Sequence, residues 1–213
     1  MRRTPLLAVP ALLFVLAGCG SSSSSSTSAS TTSAASTTPA SSTTPAAQAA
    51  PGLLASVDSA ATGSTVDGIP CQQSEQLAYH IHAHVAVFVG GKPKNIPEGI
   101  GIGPPREEQN SAEGPFVIGG SCFYWLHTHT ADGIVHIESP TTKLYTLGQF
   151  FDEWHQPLSS TQVGPALGPV TAYVNGQRYA GNPRSITLSA HKIVQLDVGT
   201  AVPPQPYTFP AGL

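Results

Sequence analysis

Period-two alternation dominates the chain beyond residue 78. Residues 79–89 read Tyr-His-Ile-His-Ala-His-Val-Ala-Val-Phe-Val. Tyr79, Ile81, Ala83, Val85, Val87 and Val89 make one apolar face, while the opposite face begins with His80, His82 and His84, so the segment predicts a strand. Gly90-Gly91 supplies a turn after it. Residues 122–130 and 134–138 predict two more strands, with Asp132-Gly133 as a two-residue hairpin turn between them. Residues 171–174 and 177–179 predict another hairpin around Asn175-Gly176, and residues 186–198 predict one strand, or two joined near Ala190-His191.

One helix interrupts the alternation. Leu147, Phe150, Phe151 and Trp154 fall at i, i+3, i+4 and i+7 and make a single apolar stripe. Thr146 and Gln149 have the spacing of a capping box, and Pro157 is the expected stop. The stripe is expected to pack on the sheet rather than to bind an aromatic ligand. Residues 99–120, rich in Gly, Pro and Glu, show no period; they read as a lid or binding loop, or as a surface excursion. Residues 203–213 form a Pro-rich tail with no evident chemistry. The expected fold class is mainly β (β-rich α+β): antiparallel hairpins in a small sheet or sandwich with one packed helix.

The first 65 residues follow other rules. Arg2-Arg3 precedes an apolar run from Leu6 to Leu16, too short for a stable membrane span, and then Ala17-Gly18-Cys19. Residues 1–18 read as a signal peptide. Leu16-Ala17-Gly18-Cys19 also resembles the lipobox of bacterial lipoproteins, which implies that Cys19 is lipidated and becomes the mature N-terminus; the alternative is an ordinary signal peptide with an unrelated Cys. Of residues 21–44, 19 are Ser or Thr. Residues 19–65 therefore read as the lipidated Cys and a Ser/Thr/Pro/Ala tether that cannot form a core. The expectation is a domain at residues 66–213, held to the extracytoplasmic side of the cell membrane. Cys71 and Cys122 remain, and an exported, oxidising setting pairs them as a disulfide. The competing reading, two thiolate metal ligands, has no CxxC spacing behind it.

Composition removes several partners. The chain of 213 residues carries 12 Asp+Glu against 9 Lys+Arg, and two of those nine are Arg2 and Arg3. A weakly acidic chain with no basic run lacks the footprint of a nucleic-acid binder. Its only Met is Met1, which excludes a soft Met-lined copper(I) site. The surplus is histidine: eight in all.

Six of the eight fall in the predicted strands. On a strand, His80, His82 and His84 share one face. If Asp132-Gly133 is a two-residue turn, Ala131 pairs with Ile134, His129 lies opposite His136, and His127 lies opposite Glu138. All four side chains then project from one face, with opposed Cβ atoms roughly 4.5–5.5 Å apart. Three imidazoles and a carboxylate so placed suit a borderline divalent transition metal, copper(II) or zinc first, with nickel and iron(II) also accepting imidazole. His80, His82 and His84 would complete that site, form a second one, or orient its ligands. A lone strand His is more often a hydrogen-bonded structural residue, and His155 and His191 read that way. Trp125 shares the parity of His127 and His129 and either walls the site or fills core, core being preferred; Asp132 reads as a turn residue only. No G-x-S-x-G elbow, phosphate-binding Gly loop or HExxH helix is present.

Residues 122–129 (Cys-Phe-Tyr-Trp-Leu-His-Thr-His), 133–140 (Gly-Ile-Val-His-Ile-Glu-Ser-Pro) and 146–154 (Thr-Leu-Gly-Gln-Phe-Phe-Asp-Glu-Trp) resemble a family of uncharacterised exported bacterial and archaeal proteins, which also carry an upstream H-x-H-x-H strand. The resemblance covers residues 69–199 and implies that the His-bearing segments belong together; it supplies no catalytic roles. Related chains often read His-Thr-His-Asp where Thr130 follows His129 here. The expected function is metal sequestration, delivery or sensing, with an envelope protein as a possible recipient. The alternatives are a metalloenzyme with an open His site, either a zinc hydrolase or lyase or a cupin-like enzyme, and a metal-free envelope binding module. An enzyme needs a positioned acid or base, for which Glu138, Glu107, Glu108 and Glu113 are the candidates.

Overall fold

The structure is a computed structural model and describes residues 52–112 and 114–213. The expected signal peptide, the lipidated Cys19, the tether as far as residue 51, and Glu113 lie outside the described residues. The protein is mainly β. Its strands are β1 (Tyr79–Val89), β2 (Lys92–Lys94), β3 (Glu107–Ser111), β4 (Gly114–Gly119), β5 (Leu126–His127), β6 (Ile134–Ser139) and β7 (Tyr145–Thr146), followed after helix α1 (Leu147–Glu153) by β8 (Leu158–Ser159), β9 (Gln162–Val163), β10 (Ala166–Leu167), β11 (Val170–Val174), β12 (Gln177–Tyr179), β13 (Thr187–Leu188) and β14 (Lys192–Val198).

A seven-stranded sheet carries the domain, in the order β12-β11-β14-β1-β6-β5, with β2 also paired to β1. It is mixed rather than wholly antiparallel: β1 and β14 run parallel, from Ala83 opposite Lys192 to Val89 opposite Val198. No hairpin can join a parallel pair, and the chain between them supplies the long crossover that such a pair requires. Residues 186–198 form two strands, broken where His191 takes a positive φ of 55°. The Asn175-Gly176 hairpin forms as expected, with Val174 opposite Gln177. Both turn residues have positive φ, which a two-residue turn of this kind demands.

The two faces of the sheet have different fates. Val85 and Val87 of β1, Val135 and Ile137 of β6, and Val194 and Leu196 of β14 point into the core, where Leu147, Phe150, Phe151 and Trp154 of α1 are wholly buried. Thr146 accepts from the Gln149 N–H while the Gln149 side chain accepts from the Thr146 N–H, completing the capping box. The helix ends four residues before Pro157. His155, at φ 54°, lets its own N–H reach Asp152 O and the Gln156 N–H reach Phe151 O, the closing pattern of a left-handed C-terminal cap. The described residues include no helix long and apolar enough to cross a membrane.

Two expectations need correction, and the tail gains a structural role. Residues 52–65, read as tether, are part of the packed unit: Leu54, Ala60 and Ala61 are buried, Trp154 Nε1 donates to Ser56 O, and Tyr124 Oη donates to Ser64 O. They lie against the C-terminal end of α1, with Ala61 N–H donating to Glu153 O and Ser59 Oγ donating to Trp154 O. Residues 99–120 are not irregular throughout, since β3 and β4 form a hairpin there, with Val117 fully buried. The tail is also ordered. Val202 N–H donates to Asp197 Oδ2 and Gln205 N–H donates to Gln195 Oε1, fastening residues 202–205 along the face of β14 that points away from the core.

Candidate metal centre

The Asp132-Gly133 hairpin does not close as a two-residue turn. Pairing between β5 and β6 stops at His127 opposite His136, after Leu126 opposite Ile137. The register is thus shifted by two residues from the expected one. Residues 128 and 129 give their backbone to other partners instead. Thr128 N–H donates to Ile100 O, Gly99 N–H donates to Thr128 O, and Val117 N–H donates to His129 O. Asp132 Oδ1 accepts from the Ile134 N–H and shapes the wider turn, in keeping with its reading as a turn residue. Gly101, at φ 72°, makes this docking possible: a Cβ there would lie 2.2 Å from Leu126 O. Because the shift is by two and not one, every side chain keeps its face.

Five imidazoles and one carboxylate consequently meet on one face of the sheet. His136 stands in the middle. Its ring centroid is 4.6 Å from that of His129, 5.4 Å from His127, 4.5 Å from His82 and 5.9 Å from His80. Glu138, two residues along β6, places Oε1 3.0 Å from His80 Nε2 and 3.4 Å from His136 Nδ1, and Oε2 3.8 Å from His127 Nε2. The β1–β6 register puts His80 opposite Glu138 and His82 opposite His136.

His84 does not join them. It is buried in a separate contact, stacked on Tyr207 at 3.5 Å with its Nε2 3.2 Å from Asp132 O. His155 takes the left-handed position just past the Trp154 C-cap of α1, and His191 stacks on Phe209. Trp125 is half-buried against the core and donates from Nε1 to Gln72 Oε1. Of the other candidate acids, Glu107 and Glu108 are exposed on β3.

One participant escaped the sequence reading. Glu75 Oε1 lies 3.5 Å from His129 Nε2 and 4.0 Å from His127 Nε2. Its position follows from the Cys71–Cys122 disulfide, which forms with a Cα separation of 5.4 Å, and from the pairing of Gln72 with Phe123. Together they draw the chain after Cys71 alongside β5, so the expected disulfide was itself the signal for Glu75. Phe116 of β4 walls the other side, stacked on His129 at 4.8 Å and 6°.

The protonation pattern favours a cation. Burial holds His82 near 4 and His136 near 3, and puts His127 well below the ordinary imidazole range; neighbouring imidazoles push the same way. These rings are neutral at pH 7 and have lone pairs to give. Burial raises Glu138, while Glu75 is raised by burial and then by the Glu138 carboxylate beside it. Two carboxylates that repel each other among neutral imidazoles gain from a shared positive ion.

Tautomers are set from behind. His127 Nδ1 lies 3.0 Å from Tyr124 O and His129 Nδ1 lies 2.5 Å from Val117 O. A carbonyl can only accept, so Nδ1 carries the proton in both rings and each Nε2 is a free acceptor. Among the described residues, His127 Nε2, His136 Nδ1 and Glu138 Oε2 are all buried without a hydrogen-bond partner. Such atoms cost free energy unless something occupies the space between them. His127, His129, His136 and Glu138 can each offer a ligand atom within 4.8 Å of the others, and so can His80, His82 and His136. This donor set could hold a metal ion.

No protein-family model, curated protein or solved structure matches the chain.

Proposed function

We propose that this protein is an extracytoplasmic lipoprotein that binds a divalent transition metal, copper(II) or zinc, and sequesters it, delivers it or reports its presence. The observation that carries the reading is the convergence of His127 Nε2, His136 Nδ1 and Glu138 Oε2, buried and unpartnered, with the tautomers of His127 and His129 set by backbone carbonyls. Neutral imidazoles with a carboxylate select borderline ions over calcium or magnesium, which take oxygen ligands. His127, His129, His136 and Glu138 hold the ion; Glu75 closes the open side. His80, 39% exposed at its side chain, forms the edge through which an ion would pass to a partner protein of the envelope.

Anchoring rests on residues 16–19 and the tether. Lipid attachment at Cys19 would hold the domain at the membrane surface, and a Cys19→Ser variant should leave the membrane fraction and lose incorporation of labelled palmitate.

A second reading has one observation in its favour. A cavity of about 240 Å3 lies beside His136, lined by Phe116, Thr130, Ile134, Pro210 and Leu213 among others. An open coordination position facing that cavity would suit a metalloenzyme, the ion acting as a Lewis acid or activating water.

The test is metal analysis of the purified protein. After chelation and reloading with zinc, copper(II), nickel or iron(II), it should retain zinc or copper(II) through desalting and gain thermal stability, and both effects should be diminished in His129→Ala and His136→Ala. Retention of none of the four ions, with no thermal shift, would overturn the proposal.

A further inference from the structure

The six donors are too widely spread for one ion, and their arrangement has a seam. Two donors of the same ion, each about 2.0–2.1 Å from it, are separated by no more than about 4.2 Å. The ligand atoms fall into two sets, each within 4.8 Å and so slightly wider than that limit: His127, His129 and Glu138 on one side and His80 and His82 on the other, with His136 common to both. Glu138 straddles the division: Oε1 faces His80 and Oε2 faces His127.

The His80 side has its own unmet demand. His80 Nε2 is 3.0 Å from His82 Nε2 and also 3.0 Å from Glu138 Oε1. A neutral imidazole has one N–H, so a single proton at His80 Nε2 cannot serve both neighbours at once. On the other side His127 Nε2 and Glu138 Oε2 stand 3.8 Å apart, too far to hydrogen-bond, and neither has a partner among the described residues. Each half thus gathers imidazole nitrogens and one carboxylate oxygen: at the His80 side one nitrogen is shared between two close neighbours, and at the His127 side the facing atoms are unpaired.

Building on the metal-binding reading above, we infer that this face is a two-ion centre: one ion held by His127, His129 and Glu138 Oε2, the other by His80, His82 and Glu138 Oε1, with the Glu138 carboxylate as bridge and His136 between them. Strand geometry makes the pairing economical. His80 and Glu138 are direct partners across β1 and β6, as are His82 and His136, so one β-ladder aligns the second set with the first. Glu75 stands on the side of the buried ion, near His127 and His129. The ion at His80 and His82 is the outer and more exchangeable of the two, because the His80 side chain is the most exposed of the five imidazoles. His84, which shares their parity on β1, is excluded by its stacking on Tyr207.

Stoichiometry decides it. The purified full-length chain, stripped with chelator and titrated with zinc and separately with copper(II), should bind two ions per chain by elemental analysis after desalting. His82→Ala and His129→Ala should each retain one, and His84→Ala should retain two. Two copper(II) ions bridged by one carboxylate should show a half-field transition or an integrated spin signal well below two per chain, and Glu138→Gln should abolish that coupling. If His129→Ala fails to fold, judged by its circular dichroism, His82→Ala and His80→Asn carry the comparison. One ion per chain in both the wild type and His82→Ala would overturn the two-ion centre and leave the single-site reading standing. Two uncoupled copper(II) ions with a full spin count would overturn it as well. No bound ion at all would remove both readings.

Discussion

His127 and His136 are direct partners across β5 and β6, with ring centroids 5.4 Å apart and planes inclined by only 12°. One belongs to a two-residue strand and the other to a six-residue strand, yet both present a buried nitrogen without a partner. Their substitutions should therefore act alike. His127→Ala and His136→Ala should each weaken ion binding by more than the roughly 10–100-fold typical of losing an outer-shell partner. His84→Ala should change it little. Competition against a chelator of known affinity measures all three.

Glu138 has opposite values with and without an ion. Burial raises its pKa, so in the metal-free protein the folded state favours the protonated carboxyl. A raised acid pKa contributes stability below the unfolded value near 4.5, and that contribution is lost as pH rises through the folded pKa. Glu138→Gln removes the cost of burying the charge and keeps the shape. The metal-free variant should melt at or above the metal-free wild type at pH 7–8. It should lose most of the stabilisation that zinc or copper(II) gives the wild type. Melting with and without chelator checks both limbs, and a variant that kept the full metal-induced shift would exclude Glu138 as a ligand.

The face of this sheet was legible in the sequence, but the register was not. Alternation put His80, His82 and His84 on one side of their strand, and with the assumed Asp132-Gly133 turn it put His127, His129, His136 and Glu138 on one side of a hairpin, a grouping that survives because strand parity is kept by any even shift. The pairing of β5 and β6 depended on where the backbone of residues 128 and 129 would find partners, and those lie in Ile100, Gly99 and Val117, far away in sequence. The parallel β1–β14 pair was invisible for the same reason: it joins residues over a hundred positions apart. The capping box at Thr146 and the turn at Asn175-Gly176 were readable since both are settled within four residues. Glu75 carried no local pattern, and only the disulfide placed it. His84 left the cluster because the tail, which looked featureless, supplies Tyr207.

Acid should unfold the metal-free protein earlier than a domain without this cluster. His82, His84 and His136 titrate near 6.5 when unfolded, but near 4, 4 and 3 in the folded state. Between those values the unfolded chain binds more protons, so stability is full above pH 6.5 and falls steadily as pH drops through the folded pKa values. A bound ion competes with protons for these imidazoles, so the stabilisation it gives should persist while the folded rings stay neutral and shrink as pH falls through their folded pKa values. Melting curves from pH 7.5 to 4 in both states check this; a gap that already narrows as pH falls through 6.5 would contradict the low folded pKa values.

Reduction of the disulfide should damage both stability and the centre. Cys71 and Cys122 are 51 residues apart, and closing a loop of that length is worth about 4 kcal/mol in the chain-entropy account. The bond also keeps Gln72 paired with Phe123, and so holds Glu75 near His127 and His129. A Cys71→Ser, Cys122→Ser variant should unfold at lower denaturant by about that amount. Where it remains folded, its ion affinity should fall toward that of Glu75→Gln. Urea titration gives the first quantity, and chelator competition gives the second.

The tail makes a last, separable prediction. Tyr207 lies flat on His84 at 3.5 Å and 10°, and Phe209 packs on His191. Burial is the main cause of the low His84 pKa, near 4. Tyr207 is the ring that covers it. Tyr207→Ala should readmit water and let the His84 pKa climb toward 6.5, visible as a shifted imidazole titration by NMR. Further along the tail, Pro210 and Leu213 line the cavity beside His136. Loosening the tail should therefore speed exchange of the bound ion with external chelator, while equilibrium affinity changes much less, since no ligand is lost. His136→Ala should do the reverse, lowering affinity directly. An unchanged His84 titration and an unchanged exchange rate in Tyr207→Ala would mean that the tail neither dehydrates His84 nor guards the metal face.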